Sequence, residues 1–263
     1  MPTYRMRIAF NGTHYAGWQR QPGLPTVQQA VEETLRNLFS EPDLTVSSSS
    51  RTDAGVHALD LTLSFHAEND LPDGPLAGML KKRLPHDIRL LEALHAPNHF
   101  NACRDALGKA YVYVIQPGEP DIFLKDLCWN WPDALSPELC RPVIEQLPGT
   151  RDFRSFTGKL GEKNTERTVF RAELMEFGSL YCFYISGNGF LYKMVRRLAG
   201  FLYETARGEH SPEEFARLLE KPELPPDNVT VAPPEGLYLK KAFYEPAEWQ
   251  QDRLTGLPFL HFQ

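Results

Sequence analysis

Leu59, Leu61, Leu63 and Phe65 alternate with Asp60, Thr62 and Ser64, a period of two that an extended strand satisfies and a helix does not. The same period runs through Tyr4, Met6, Ile8 and Phe10, with Arg5 and Arg7 between them. Between these strands the spacing turns helical: Val27, Ala30, Val31, Leu35 and Leu38 share one face. Thr26 is placed as its N-cap, with Gln29 at the capping-box position. Residues 44–48 read as a further strand. Pro75 suits the first turn of a second helix carrying Leu76, Met79, Leu80 and Leu84, and residues 88–94 read as a closing strand. The order β-α-β-β-α-β is that of a split ferredoxin-like unit.

The second half reads in a similar way without repeating the sequence. Residues 109–115 predict a strand, Ser136-Pro137 a helix start, and residues 168–176 and 180–186 a hairpin around Phe177-Gly178-Ser179. Residues 191–207 predict a long helix with Met194, Val195, Leu198 and Leu202 on one face and Gly208 as its stop. A short helix from Pro212 and a strand over 236–243 follow, with the Pro-rich stretch 221–234 as a long loop. The expectation is an α+β protein of two ferredoxin-like-derived units, residues 1–106 and 107–263. Their mainly antiparallel sheets are expected to join around a central cleft.

No apolar run approaches the roughly 20 residues of a membrane span. Charges occupy the positions near Met1 where an export signal has its apolar core, which predicts a cytoplasmic protein. Cys103, Cys128, Cys140 and Cys182 have neither zinc-site nor disulfide-framework spacing and read as reduced thiols. The net charge of −6 argues weakly against a nucleic-acid partner. Yet Arg151, Arg154, Lys159, Lys163, Arg167 and Arg171 fall in one segment, which leaves room for a basic groove on an acidic protein.

The polar turn over residues 47–58 places Arg51 and Asp53 two residues apart between strands, a position typical of catalytic groups on a rigid scaffold. Asp followed by Ala-Gly is also ordinary turn chemistry, and residue types alone favour that plainer reading. The surrounding motifs add to it. Arg51-Thr52-Asp53-Ala54-Gly55-Val56-His57-Ala58 resembles the signature of the tRNA pseudouridine synthase A family. Gly12-Thr13-His14-Tyr15-Ala16-Gly17-Trp18-Gln19 is similar to that family's opening motif, and Tyr111-Val112-Tyr113-Val114-Ile115 to its tyrosine strand. Segments 152–156, 189–196 and 232–239 resemble further family motifs in the same order, so the resemblance spans most of the chain.

The resemblance implies isomerisation of uridine to pseudouridine in tRNA, at positions 38, 39 and 40 of the anticodon stem-loop, by a homodimer. The base is cut from ribose at N1, turned, and rejoined through C5. No redox change occurs and no group is transferred to a second molecule, so no cofactor and no metal are implied. By resemblance Asp53 is the catalytic carboxylate, which must be ionised; a nearby cation favours that form. Arg51 is placed to orient it or to reach the RNA. Periodicity alone puts Tyr111 in a core stripe with Tyr113 and Ile115, whereas the family has a base-stacking tyrosine there. Arg196 lies close to an apolar helix face, where an unpaired charge is costly; the family pairs the matching arginine with the catalytic aspartate. Arg197 reads as a surface charge. Trp18 and Gln19, with Tyr15, either stack on RNA or pack. Leu237 and Leu239 read as core, while the family sets one leucine of this segment against the base.

Two departures stand out. Ser50 replaces a usual glycine, tolerable unless the position needs positive φ, and Cys103 stands where arginine is common, with Arg104 beside it. Two rival readings remain open at this level: an inactive RNA-binding homologue, and a metal-dependent hydrolase using His57, His66 or the His95/His99 pair. Pro97 disfavours the helix that would align that pair.

Overall fold

The computed structural model describes residues 1–132, 137–159, 161–222 and 229–260. The period-two segments are strands. β1 (Thr3–Phe10) buries Tyr4, Met6 and Ile8 completely and leaves Arg5 and Arg7 partly exposed, tied to Glu92 and Asp60 on neighbouring strands. α1 (Val27–Phe39) starts where Thr26 Oγ1 accepts from the Gln29 N–H and ends at Ser40, which adopts φ 58°. β2 (Ser47–Ser48), β3 (His57–His66), α2 (Asp73–Arg83) and β4 (Ile88–Ala96) follow.

Of the segment expected as a strand over 44–48, only Ser47–Ser48 pairs. The cause is a competition for backbone groups. Arg36 Nε donates to the Leu44 carbonyl (2.8 Å), and the Val46 N–H donates to Glu32 Oε1 (3.3 Å). Glu32, on α1, is buried between Arg20 (3.0 Å) and Arg36 (3.3 Å). Side chains of one helix thus take the bonds that a sheet ladder would have used.

The chain continues through β5 (Gly108–Pro117), β6 (Trp129–Trp131), α3 (Pro137–Glu145), β7 (Gly149–Asp152), β8 (Glu166–Phe177), β9 (Leu180–Gly187), α4 (Met194–Ala206) and α5 (Pro212–Glu220). β10 (Leu237–Phe243) and α6 (Pro246–Gln251) close it. The expected hairpin joins β8 to β9 through Gly178-Ser179, with Gly178 at φ 64° as such tight connections need. Ser136, expected to open α3, and the middle of the expected long loop, 223–228, lie outside the described residues. β6, β7 and α6 were not anticipated.

Two units emerge: residues 1–107 with 238–246, and 108–237 with 247–263. The first therefore includes most of β10, taken from far along the chain. Its sheet runs β4-β1-β3, with β2 and β10 both on the far edge of β3, β10 being parallel. Thr62 and Ser64, the polar residues of the alternation, are buried as well; Ser64 Oγ accepts from the Ala102 N–H, and the Tyr244 hydroxyl donates to the Ala102 carbonyl. The second unit's sheet runs β5-β9-β8-β7, antiparallel throughout, with β6 parallel to β5. The fold is α+β with mainly antiparallel sheets.

α4 begins three residues later than the pattern suggests, after Lys193 at φ 60°. Its apolar face buries Met194, Val195, Leu198 and Leu202 as expected. A second stripe, Arg196, Gly200 and Glu204, holds the irregular segment leading to β10. Arg196 Nε donates to the Ala232 carbonyl (2.6 Å), Glu204 Oε1 accepts from the Thr230 N–H (2.8 Å), and Thr230 lies against Gly200. Among the described residues no helix is long and apolar enough to cross a membrane.

Candidate active site

The loop 49–56 is held by backbone bonds to the opening motif. The Trp18 N–H donates to the Thr52 carbonyl (3.0 Å) and the Gly55 N–H to the Tyr15 carbonyl (3.2 Å). The Val56 N–H closes a turn on the Asp53 carbonyl (3.2 Å), with Gly55 at φ 78°. The two glycines of the opening motif explain how the chains come so close. A Cβ on Gly12 would stand 2.0 Å from the Val56 carbonyl oxygen; one on Gly17, at φ 97°, would stand 2.7 Å from that of Thr52. His57 completes the clamp: its Nδ1 accepts from the Gly12 N–H (3.0 Å), and its buried ring stacks on Tyr238 at 4.6 Å.

On this frame Thr52 is buried, Asp53 is half-buried and Arg51 is exposed. A half-buried carboxylate on a restrained backbone, with an exposed cation two residues away in the chain, is suited to attack an electrophilic carbon of an anionic substrate. Ser50 is tolerated, since among the described non-glycine residues only Ser40 and Lys193 have positive φ. Trp18 is buried at 2% exposure and packs, whereas Gln19 is exposed and Tyr15 bonds to Asp87 (2.7 Å). Arg104 turns back onto Asp105 (3.0 Å) and the His99 carbonyl.

In the second unit Tyr111 lies on β5, 8% exposed, with the ring of Phe190 edge-on at 5.3 Å. Phe190 follows Asn188-Gly189 at the end of β9, where Gly187 lets the backbones approach: a Cβ there would be 2.6 Å from the Thr168 carbonyl oxygen. Tyr113 and Ile115 are wholly buried, as the stripe predicts, and Tyr113 donates to the Pro233 carbonyl (2.6 Å). Arg196 is half-buried and oriented by the Ala232 carbonyl, near enough for its charge to act on the Tyr113 phenol. Arg197 is not the surface charge expected: it is half-buried, with Nε and Nη1 shielded from water. Leu237 and Leu239 are both buried. Sequence reasoning assigned no role to Phe190 or to the clamp of Gly12, Gly17 and His57. Glycines in a polar motif were the available signal.

Three of the histidines suspected as metal ligands have other partners: His66 Nδ1 lies 2.8 Å from Thr3 Oγ1. His57 Nδ1 is engaged by the Gly12 N–H. His95 lies on β4 with Asp73 at Nδ1 (2.6 Å) and Asp70 at Nε2 (2.8 Å). Hydrogen bonding to Asp70, then to Asp73, raises the His95 pKa, while the His95 N–H bond lowers that of Asp73. A raised histidine pKa contributes stability below the unfolded value of about 6.5 and loses it as pH climbs through the folded value. The depressed Asp73 contributes above about 3.9 and loses its share as pH falls through its folded value. The wild type is therefore expected to melt above His95→Gln near pH 5, with the gap closing at alkaline pH. Because the groups are partly exposed the gap is small and shrinks in salt. Melting curves across pH 4–9 check this, and a gap that does not vary with pH would refute it.

The family described as tRNA pseudouridine synthase matches residues 6–104 and 143–245. The tRNA pseudouridine synthase A of Geobacter sulfurreducens is 37% identical over 245 residues, covering 92% of this chain and 99% of that one. The proteins of that name from Geobacillus sp. (34%, covering 90% and 96%) and Aquifex aeolicus (34%, covering 92% and 99%) are similar over comparable lengths.

Proposed function

This chain belongs to the tRNA pseudouridine synthase family, and from that premise we propose that it acts on positions 38, 39 and 40 of the tRNA anticodon stem-loop, with Asp53 as catalytic carboxylate and without a cofactor. The reaction is an isomerisation of uridine in tRNA. The N1–C1′ bond breaks, the base rotates, C5 bonds to C1′, and the C5 proton leaves as N1 gains one. Asp53 forms or stabilises the covalent intermediate between these events. The observation that carries this reading is the half-buried Asp53 on a loop held against residues 12–18 by glycine-permitted backbone contacts. Such restraint holds a nucleophile near its line of attack.

Arg51, exposed on the same loop, meets the RNA or orients Asp53. Tyr111 offers a ring to the flipped base, with Phe190 as its buttress. Arg196 is the second cation for the substrate, set in direction by Ala232. The protein works as a cytoplasmic homodimer in this proposal. Mapping pseudouridine in tRNA from cells with and without the protein tests it. Loss of the modification at 38–40 supports the proposal, and an unchanged map refutes it.

Tyr111→Phe keeps the ring and loses the hydroxyl, whereas Tyr111→Ala loses the stacking surface. Base–aromatic stacking is worth about 1–3 kcal/mol, so alanine is expected to cost turnover roughly 5- to 150-fold more than phenylalanine does. Single-turnover kinetics on folded variants measure this, and equal losses would point to the hydroxyl instead.

A further inference from the structure

The basic segment 151–171 is not uniform. Arg154 lies 3.5 Å from Asp152, and Arg171 is paired with Glu173. Arg151 and Arg167 differ. Among the described residues their guanidinium groups bond only backbone carbonyls, of Thr150 for the one and of Asn164 and Glu166 for the other. Neither has a carboxylate partner among the described residues.

The register of β7 on β8 places Arg151 directly opposite Arg167. Directly opposed residues share a face, with Cβ atoms about 4.5–5.5 Å apart, and like charges there destabilise the sheet. Across the same end of the sheet, Lys109 on β5 pairs with Gly187, Gly187 with Val169, and Val169 with Gly149. The two arginines flank this row on the face that carries Tyr111. Short distances join the parts: Tyr111 to Phe190 at 5.3 Å, and the Gly189 Cβ position to Arg167 Nε at 3.8 Å. One face thus runs from an aromatic ring, over a second ring, to two adjacent cations lacking acidic partners.

We propose that Arg151 and Arg167 form a two-guanidinium clamp for the phosphate backbone of the RNA strand whose uridine stacks on Tyr111. The inference rests on the functional reading above and extends it to the backbone neighbouring the target nucleotide. A phosphodiester between the two groups relieves the repulsion that the register imposes and accepts hydrogen bonds from both. The cost of opposing two arginines is then a cost of binding, a trade of stability for function.

The test is binding of unmodified tRNA at several salt concentrations, with melting curves, for Arg151→Ala, Arg167→Ala, the double variant and Arg154→Ala. Each clamp variant is expected to bind severalfold more weakly and to flatten the slope of log affinity on log salt by about one unit, the double by about two. Arg154→Ala changes either quantity less. Melting temperatures of the clamp variants stay level or rise, because a repulsive pair is removed; a structural role predicts a fall. Arg167→Gln and Arg167→Lys extend the test if alanine perturbs the strand: lysine keeps the slope and glutamine does not. Wild-type affinity and slope in folded clamp variants would overturn the clamp. Absence of pseudouridine formation by the wild type would overturn the functional reading instead, and the salt slopes still decide the clamp.

Discussion

Asp53→Asn is expected to stop pseudouridine formation while tRNA remains bound. Asparagine keeps the size of the side chain and much of its hydrogen bonding but has neither the negative charge nor a nucleophilic oxygen. A loop that merely needed a turn-forming residue would accept the change, since asparagine favours the same turns. The turn itself is closed by backbone, the Val56 N–H on the Asp53 carbonyl, and this bond survives the substitution. The expected loss of turnover is therefore chemical and large, on the order of 10⁴- to 10⁶-fold, as for other lost nucleophiles. Binding carried by phosphate contacts and stacking changes little. Product formation, a titration at fixed salt and a melting curve decide the matter together. Near-normal turnover in a folded variant would sink the catalytic assignment.

Gly12→Ala is the second large effect. The added methyl group would sit 2.0 Å from the Val56 carbonyl oxygen and 2.6 Å from its carbon, both backbone atoms that no rotamer change can move. Either β1's exit or the Asp53 loop must shift. Overpacking of this kind costs about 1–3 kcal/mol, and each kcal/mol lowers Tm by roughly 2–4 °C in a chain of this size. The greater loss is catalytic, because a displacement near 1 Å can cost about 10²-fold in rate. The falling quantity is kcat, with tRNA affinity nearly kept. Gly78→Ala, exposed in α2 with nothing within 4 Å of its Cβ position, is the control and should be neutral or slightly stabilising. Equal melting temperature and turnover for Gly12→Ala and wild type would show that the clamp does not place Asp53.

Periodicity carried the strands and helices because it is a local property: a side chain's face follows from its neighbours two or four residues away. Tyr4, Met6 and Ile8, the Thr26 cap and the face of α4 needed nothing from elsewhere in the chain. The polar loop with Arg51 and Asp53 was visible too, its sense supplied by motif resemblance rather than by residue types.

What the chain order could not decide was which partner each polar group would take. Leu44 and Val46 have strand-like side chains, yet their backbone groups bond Arg36 and Glu32. Arg154 and Arg171 found carboxylates, while Arg151 and Arg167 were set face to face by strand register. Gly12 and Gly17 became the seat of the Asp53 loop only because a segment some 40 residues later folds against them. Each hydrogen bond or ion pair is a competition among groups brought close by the whole fold. Apolar alternation reports where a residue faces; only tertiary structure sets what stands opposite.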